Sequence, residues 1–240
     1  MKNNPLVTVL MPAYNAELYI GEAIESILNQ TYKNFELLII NDCSTDNTKD
    51  IIKKYAEKDK RIKFLNNESN LRIAKTLNKG LEIARGQYIV RMDADDWSYP
   101  DRIEKQVRYM DNNPEVVLSS GNMEICDQDM NVKNKSNLPT EDEDIRKILL
   151  QYCPMVHPAM IYRRDTILDV GGYNEAVKTE DYMLVIDMSS KGKLGNLKDI
   201  LIKYRVLKES FTQTGMQDAH LSTLHCALQG AYKYKYPISF

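Results

Sequence analysis

The chain is 240 residues long, 43% hydrophobic and 28% charged, which fits one large domain with a substantial core. A net charge of -2 gives no electrostatic case for nucleic acid as a partner, although 32 lysines and arginines allow local basic patches. There is no hydrophobic signal region and no run of about 18 apolar residues, and cysteines 43, 126, 153 and 226 lack the paired spacing of a zinc or redox motif. Reduced thiols in a cytoplasmic compartment are the expectation. Cys43 has no neighbouring histidine and reads as a passive loop residue.

Apolar runs at 6–11, 35–40, 61–65 and 88–92 read as strands. Helical stripes lie between them: Ile20, Ile24, Ile27 and Leu28; then Thr48, Ile51, Ile52 and Tyr55; then Ile73, Leu77, Leu81 and Ala84. Strand and helix in alternation predict an α/β protein with a mostly parallel central sheet covered by helices on both faces. Pro100 opens a helix carrying Ile103, Val107 and Met110, 116–119 reads as a strand, and 127–140 as a polar loop. Thr140 and Glu143 form a capping box for a helix with Ile145, Ile148 and Leu149. A strand at 157–162, a turn at Gly171-Gly172 and a helix capped by Thr179 and ended by Gly192 follow. In the tail, His220, Leu221, Leu224, Leu228 and Tyr232 fall at helical spacing, with Lys233 and Lys235 just after. Such a stripe most often docks on the protein's own core; pairing as a homodimer and peripheral contact with a membrane are the other fates.

Ligands of a parallel sheet bind at the carboxyl ends of its strands. There the chain places Pro12-Ala13-Tyr14-Asn15, Asn41-Asp42 and Asp93-Ala94-Asp95. Asp93 and Asp95 alternate with Ala94, so in extended chain their carboxylates share one face and can hold one hard divalent cation. Asn15 and Ser44 also fit helix N-caps, whereas Asp42 and Asp93 precede helices without being needed as caps.

Taken together, Pro12-Ala13-Tyr14-Asn15, Asn41-Asp42-Cys43-Ser44-Thr45-Asp46, Ala84-Arg85-Gly86-Gln87-Tyr88-Ile89 and Met92-Asp93-Ala94-Asp95-Asp96 resemble, in order and spacing, the family 2 glycosyltransferases. His157-Pro158, Gly171-Gly172-Tyr173, Glu180-Asp181-Tyr182 and Tyr204-Arg205 continue the match over roughly residues 5–210. The resemblance implies a GT-A fold over 1–210, with a Rossmann-like nucleotide-sugar-binding half at 1–96, an acceptor-binding half at 97–210 and a helical tail at 211–240. It implies an inverting transfer of sugar from a nucleotide-sugar donor, UDP-linked by preference, to a hydroxyl of a glycan or lipid-linked acceptor in surface polysaccharide synthesis. Such an enzyme works in the cytoplasm, with peripheral contact at the inner face of the membrane as an option.

Carried over residue by residue, the resemblance lines the donor site with Pro12, Ala13, Tyr14, Asn15 and Ala94. Tyr14 would pack on the nucleobase and Asp42 accept hydrogen bonds from base or ribose. Asp95 would ligate Mn²⁺ or Mg²⁺ directly, Asp93 would contact the ribose or a metal-bound water, and Asp96 would support the loop. Asp181 matches the general base, with Glu180 beside it. Arg72 and Lys75 are candidates for the diphosphate, though the family places glycine near Arg72. His157 would approach the acceptor or a phosphate, and Trp97 offers an aromatic face to a sugar. Leu207 stands where many relatives have histidine, which weakens the case for a metal ligand from the tail. Two rivals keep the fold: a nucleotidyltransferase that makes nucleotide sugars, which would need a glycine-rich loop where this chain has Pro-Ala-Tyr-Asn, and a non-catalytic nucleotide-sugar-binding protein, which needs neither the acids nor the base.

Overall fold

The computed structural model describes residues 4–207 and 216–234. Four strands, β1 (Val7–Ala13), β2 (Phe35–Asn41), β3 (Ile62–Asn66) and β4 (Tyr88–Arg91), pair in parallel in the order β3-β2-β1-β4. Helices α1 (Ile20–Leu28), α2 (Thr48–Lys58) and α3 (Arg72–Ile83) connect them. Every residue of β1, β2 and β4 is buried, as expected of strands covered on both faces. Alternate side chains feed two cores. Leu10, Leu38, Ile40 and Ile89 meet Leu77 and Leu81 of α3, while Val9, Leu37, Ile39 and Val90 meet Ile20, Ile24 and Ile27 of α1. Gly80 brings α3 onto the sheet: a Cβ there would stand 2.3 Å from Leu10 Cδ1.

The second half contains β5 (Trp97–Ser98), α4 (Arg102–Asn112), β6 (Val116–Cys126), β7 (Val132–Lys135) and α5 (Asp142–Ile148). A 3-10 turn (His157–Ala159), β8 (Ile161–Arg163), α6 (Arg164–Asp169), α7 (Glu180–Ser189), β9 (Lys193–Arg205) and α8 (Met216–Tyr234) complete it. The sheet continues β4-β8-β6-β9-β5, antiparallel at β8 and β5 and parallel between β6 and β9, with β7 hydrogen-bonded to β6.

Several local expectations are corrected. The strand expected at 116–119 runs on to Cys126, because Ser119, Ser120, Asn122 and Glu124 are buried polar residues that break the apolar signal. The loop expected at 127–140 holds β7, an edge strand whose four residues are all exposed. At 157–162, Pro158 lies in a 3-10 turn and the strand begins at Ile161. The expected capping box is not formed: α5 starts at Asp142 and the Thr140 hydroxyl donates to Glu141 Oε1 at 3.3 Å. Helix α4 starts at Arg102, two residues after Pro100, and α7 ends at Ser189, ahead of Gly192. Neither β5, α6 nor β9 was expected.

Helix α8 docks on α7, but not through the expected stripe. Leu224 and Leu228 are each 56% exposed and Tyr232 is 92% exposed. The side chains of His220 and Leu221, and all of Lys235, lie outside the described residues. Small residues face the core instead: Cys226, Ala227 and Gly230 are buried, and a Cβ on Gly230 would lie 2.9 Å from Ile186 Cγ2. Close approach across small side chains decides the face, and Lys233 closes it with an ion pair of 3.0 Å to the buried Asp187. Among the described residues no helix is long and apolar enough to cross a membrane.

Candidate active site

A cleft of about 420 Å³ opens at the carboxyl ends of β1, β2 and β4. Pro12, Ala13, Tyr14 and Asn15 after β1, Asp42 after β2, Arg72 on α3, and Asp93, Ala94 and Asp95 after β4 all line it. Tyr19, Asn70 and Thr76, which the sequence did not single out, line it too, as does Leu207. Tyr14 is 51% exposed, so its ring is open to a stacking partner. Asn15 is not a helix cap. Its Oδ1 accepts from Thr45 N at 2.9 Å while its own N–H donates to Ser44 Oγ at 3.0 Å, clasping the loops after β1 and β2.

Asp42, by contrast, does serve a helix start. Its Oδ1 accepts from Asn67 Nδ2 at 2.8 Å and Leu71 N at 2.9 Å, and its Oδ2 accepts from Arg72 N at 2.9 Å. The sequence concealed this because the helix it serves begins 30 residues later. Arg72 itself sits at φ 67°, in the left-handed region that favours glycine. Its guanidinium is exposed at the cleft. Replacing it with glycine relieves about 1 kcal/mol of backbone strain, so Arg72→Gly is expected to raise the melting temperature while weakening donor binding. A variant that melts lower, or binds donor as tightly, contradicts the two roles given to Arg72.

Beyond β4 the chain turns through three acids. Ligand atoms of Asp93, Asp95 and Asp96 lie within 4.8 Å of one another. Burial, then the charge of Asp93, pushes Asp95 up to about 6. Burial, followed by both neighbouring carboxylates, raises Asp96 well above its ordinary range. Asp96 Oδ1 accepts from Arg205 N at 2.9 Å and its Oδ2 is buried without a partner. Three arginines brace the turn. Arg91 forms an ion pair with Asp93, Arg205 Nε donates to the Asp95 carbonyl at 2.8 Å, and Arg102 Nη2 donates to the Arg91 carbonyl at 2.7 Å. Sequence reading passed over Arg91 and Arg102, although an arginine ending the apolar strand Tyr-Ile-Val-Arg was a visible signal.

The acidic pair opens α7, and Asp181 Oδ1 accepts the Tyr182 N–H at 2.8 Å. Burial first, and then the charge of Asp181, pushes Glu180 up to about 7; burial also raises Asp181. In both, the charge of Asp93 adds to the rise and that of Arg91 opposes it. His157 Nε2 meets Tyr173 Oη at 2.9 Å, and burial, then Arg91, keeps its imidazole neutral. Trp97 lies on β5, edge-on to Tyr99 at 5.0 Å between ring centroids. Neither Trp97, His157, Glu180 nor Asp181 lines the cleft itself.

Glu180 gives a pH signature of known sign. Its folded pKa lies above the value in an unfolded chain, so the folded state holds a proton that the unfolded state releases, and stability falls as pH rises from about 4 to about 7. Glu180→Gln is expected to melt higher than wild type at pH 8, with the gap closing by pH 5. A gap independent of pH contradicts the raised pKa.

The glycosyl transferase family 2 model matches residues 8–171. A glycosyltransferase of Haemophilus influenzae is 38% identical over 219 residues, covering 86% of this chain and 67% of that protein. The amylovoran biosynthesis glycosyltransferase AmsE of Erwinia amylovora is 31% identical over 204 residues, covering 83% and 76%. Among solved structures, Staphylococcus aureus TarS 1-349 in complex with UDP-GlcNAc superposes with a TM-score of 0.74 at 19% identity, over 95% of this chain and 73% of that one. The mannosyltransferase PcManGT of Pyrobaculum calidifontis, in complex with GDP-Man and Mn²⁺, gives 0.68 at 18%, over 98% and 76%. The fold is thus GT-A, mixed α/β around a mostly parallel sheet. The chain belongs to the family 2 glycosyltransferases.

Proposed function

We propose that this glycosyltransferase moves a sugar, with inversion, from a UDP-linked donor to a hydroxyl of a glycan or lipid-linked acceptor in the assembly of a surface polysaccharide, in the cytoplasm. The observation that carries the reading is the meeting, at one sheet edge, of a nucleotide-sized cleft with the Asp93-Ala94-Asp95 turn. The UDP-GlcNAc complex of TarS supports the donor class, and the name of AmsE supports the pathway class.

Tyr14 stacks on the base. Asp42 has three of about four acceptor positions taken by Asn67, Leu71 and Arg72, which leaves one for a base or ribose donor. Arg72, with its guanidinium at the cleft, meets the diphosphate. The residues after β4 fit a hard divalent cation: clustered carboxylates, one pushed up to about 6 by burial and by its neighbour, and an unpartnered buried oxygen on Asp96. Asp93 and Asp95 would hold Mn²⁺ or Mg²⁺, which supplies charge neutralisation at the leaving diphosphate. The PcManGT complex with Mn²⁺ is in keeping with that metal. Asp181 takes the proton of the acceptor hydroxyl while that oxygen bonds to the anomeric carbon. The bond from that carbon to the diphosphate oxygen breaks on the opposite face. Burial makes Asp181 more basic, and its place in the first turn of α7 favours the ionised form.

The test is product analysis with a panel of UDP- and GDP-sugars and hydroxyl acceptors, with Mn²⁺ and with EDTA. Diphosphate release and glycoside formation that need the cation are expected. Pyrophosphate as product points to a nucleotidyltransferase, and binding without turnover to a non-catalytic protein.

A further inference from the structure

We propose that Asn67 is a positioning residue that sets nucleobase selectivity, holding Asp42 so that a single acceptor position of its carboxylate meets the base; this rests on Asp42 as the acceptor for the base. Asn67 follows β3 and is only 1% exposed. Its Nδ2 donates one proton to Asp42 Oδ1 at 2.8 Å and the other to Thr76 Oγ1 at 3.1 Å, and its Oδ1 accepts from Lys79 Nζ at 3.2 Å. Those partners fix which way the amide faces, because a carboxylate only accepts and an ammonium only donates. The backbone is tied as well. Asn67 N donates to the Asn41 carbonyl at 2.9 Å, and the Asn67 carbonyl accepts from Asn66 Nδ2 at 2.9 Å. Asp42 and Thr76 line the cleft and Asn67 does not, so it acts through them.

The bonds already made decide which oxygen of Asp42 is left for a ligand. Oδ1 takes both Asn67 Nδ2 and the Leu71 N–H, which fills its two acceptor positions, while Oδ2 takes only the Arg72 N–H. The open position is therefore on Oδ2, and it accepts one N–H. Uracil fits, since its edge carries a single donor, N3–H, between two carbonyls. Cytosine sets a bare ring nitrogen there, acceptor against acceptor. Guanine brings two neighbouring donors to one open position, and one of them goes unpaired. Without Asn67 a second acceptor position opens on Oδ1, and the carboxylate loses the side-chain contact that orients it, so the three edges are told apart less well. The Leu71 and Arg72 N–H groups still hold Asp42, so α3 keeps its cap.

Calorimetric titration of UDP, CDP and GDP, each with Mg²⁺, into wild type, Asn67→Ala and Asn67→Leu in the full chain tests this. Wild type is expected to bind UDP about tenfold or more tightly than CDP or GDP. In both variants UDP affinity is expected to fall about fivefold while CDP affinity changes less than about twofold, so the preference for UDP narrows. Equal losses for all three nucleotides make the role of Asn67 structural and overturn the proposal, as does an unchanged preference. If neither variant folds, Lys79→Met decides, because it removes the donor on the other side of the amide: a narrowed preference supports the positioning role and an unchanged one overturns it. Asp42→Asn checks the footing. The partners of Oδ1 keep the side-chain oxygen in place and put an NH₂ where Oδ2 stands, so the preference should swing toward CDP. A wild-type preference in Asp42→Asn means that the base is read elsewhere, and the proposal falls while the transfer reaction stands. A wild type that prefers GDP overturns the UDP reading and this proposal together.

Discussion

Asp181→Asn is expected to lose transfer by a factor of about 10² to 10⁴ while binding the nucleotide-sugar donor with unchanged affinity. Asparagine keeps the size of the side chain and its ability to accept the Tyr182 N–H, so α7 keeps its first turn. What is lost is a proton acceptor whose basicity burial has raised. Glu180 stands next to it but, pushed up to about 7, is half protonated at neutral pH and makes a poorer stand-in. Single-turnover kinetics with saturating donor, beside calorimetric donor titration, separates the chemistry from binding. Near-normal turnover places the base elsewhere; a parallel loss of donor affinity makes the role of Asp181 structural.

The second large effect falls at the turn after β4. Asp95→Ala should abolish the cation-dependent part of donor binding and leave the fold intact. The fold holds this residue through its backbone carbonyl, which accepts from Arg205 Nε, and alanine keeps that bond. Removing the carboxylate also lifts one of the repulsions that raise Asp96, so the melting temperature of the metal-free variant should not fall. Nucleotide titration with and without EDTA measures the effect. Equal affinities under the two conditions in wild type defeat the metal assignment; a variant that retains the EDTA-sensitive component moves the ligand elsewhere.

Much of the nucleotide half was legible because its physics is local. Strands buried on both faces are continuous apolar runs, and β1 to β4 were found within two residues at each end. Their polar ends marked the cleft, and Asp42, Asp93 and Asp95 are indeed brought together on its wall. What escaped was non-local. The capping of α3 by Asp42 and the bracing of the acidic turn by Arg205 join residues 30 and 110 apart in sequence. In the second half, β6 carries buried polar residues, β7 is wholly exposed and β9 mixes charged with apolar positions, so neither period 2 nor burial reads through. Helix α8 was found, but its docked face was mistaken, because the contact is made by cysteine, alanine and glycine and not by the leucines.

Combined ³¹P and ¹H NMR of one reaction tests the central claim most directly. Wild-type protein with Mg²⁺, a UDP-sugar and a hydroxyl acceptor is predicted to release UDP, with no inorganic pyrophosphate, and to form a glycoside whose anomeric configuration is opposite to that of the donor. EDTA should stop the reaction. Retained configuration, pyrophosphate among the products, or undiminished turnover in EDTA contradicts a metal-assisted inverting transfer with Asp181 as its base.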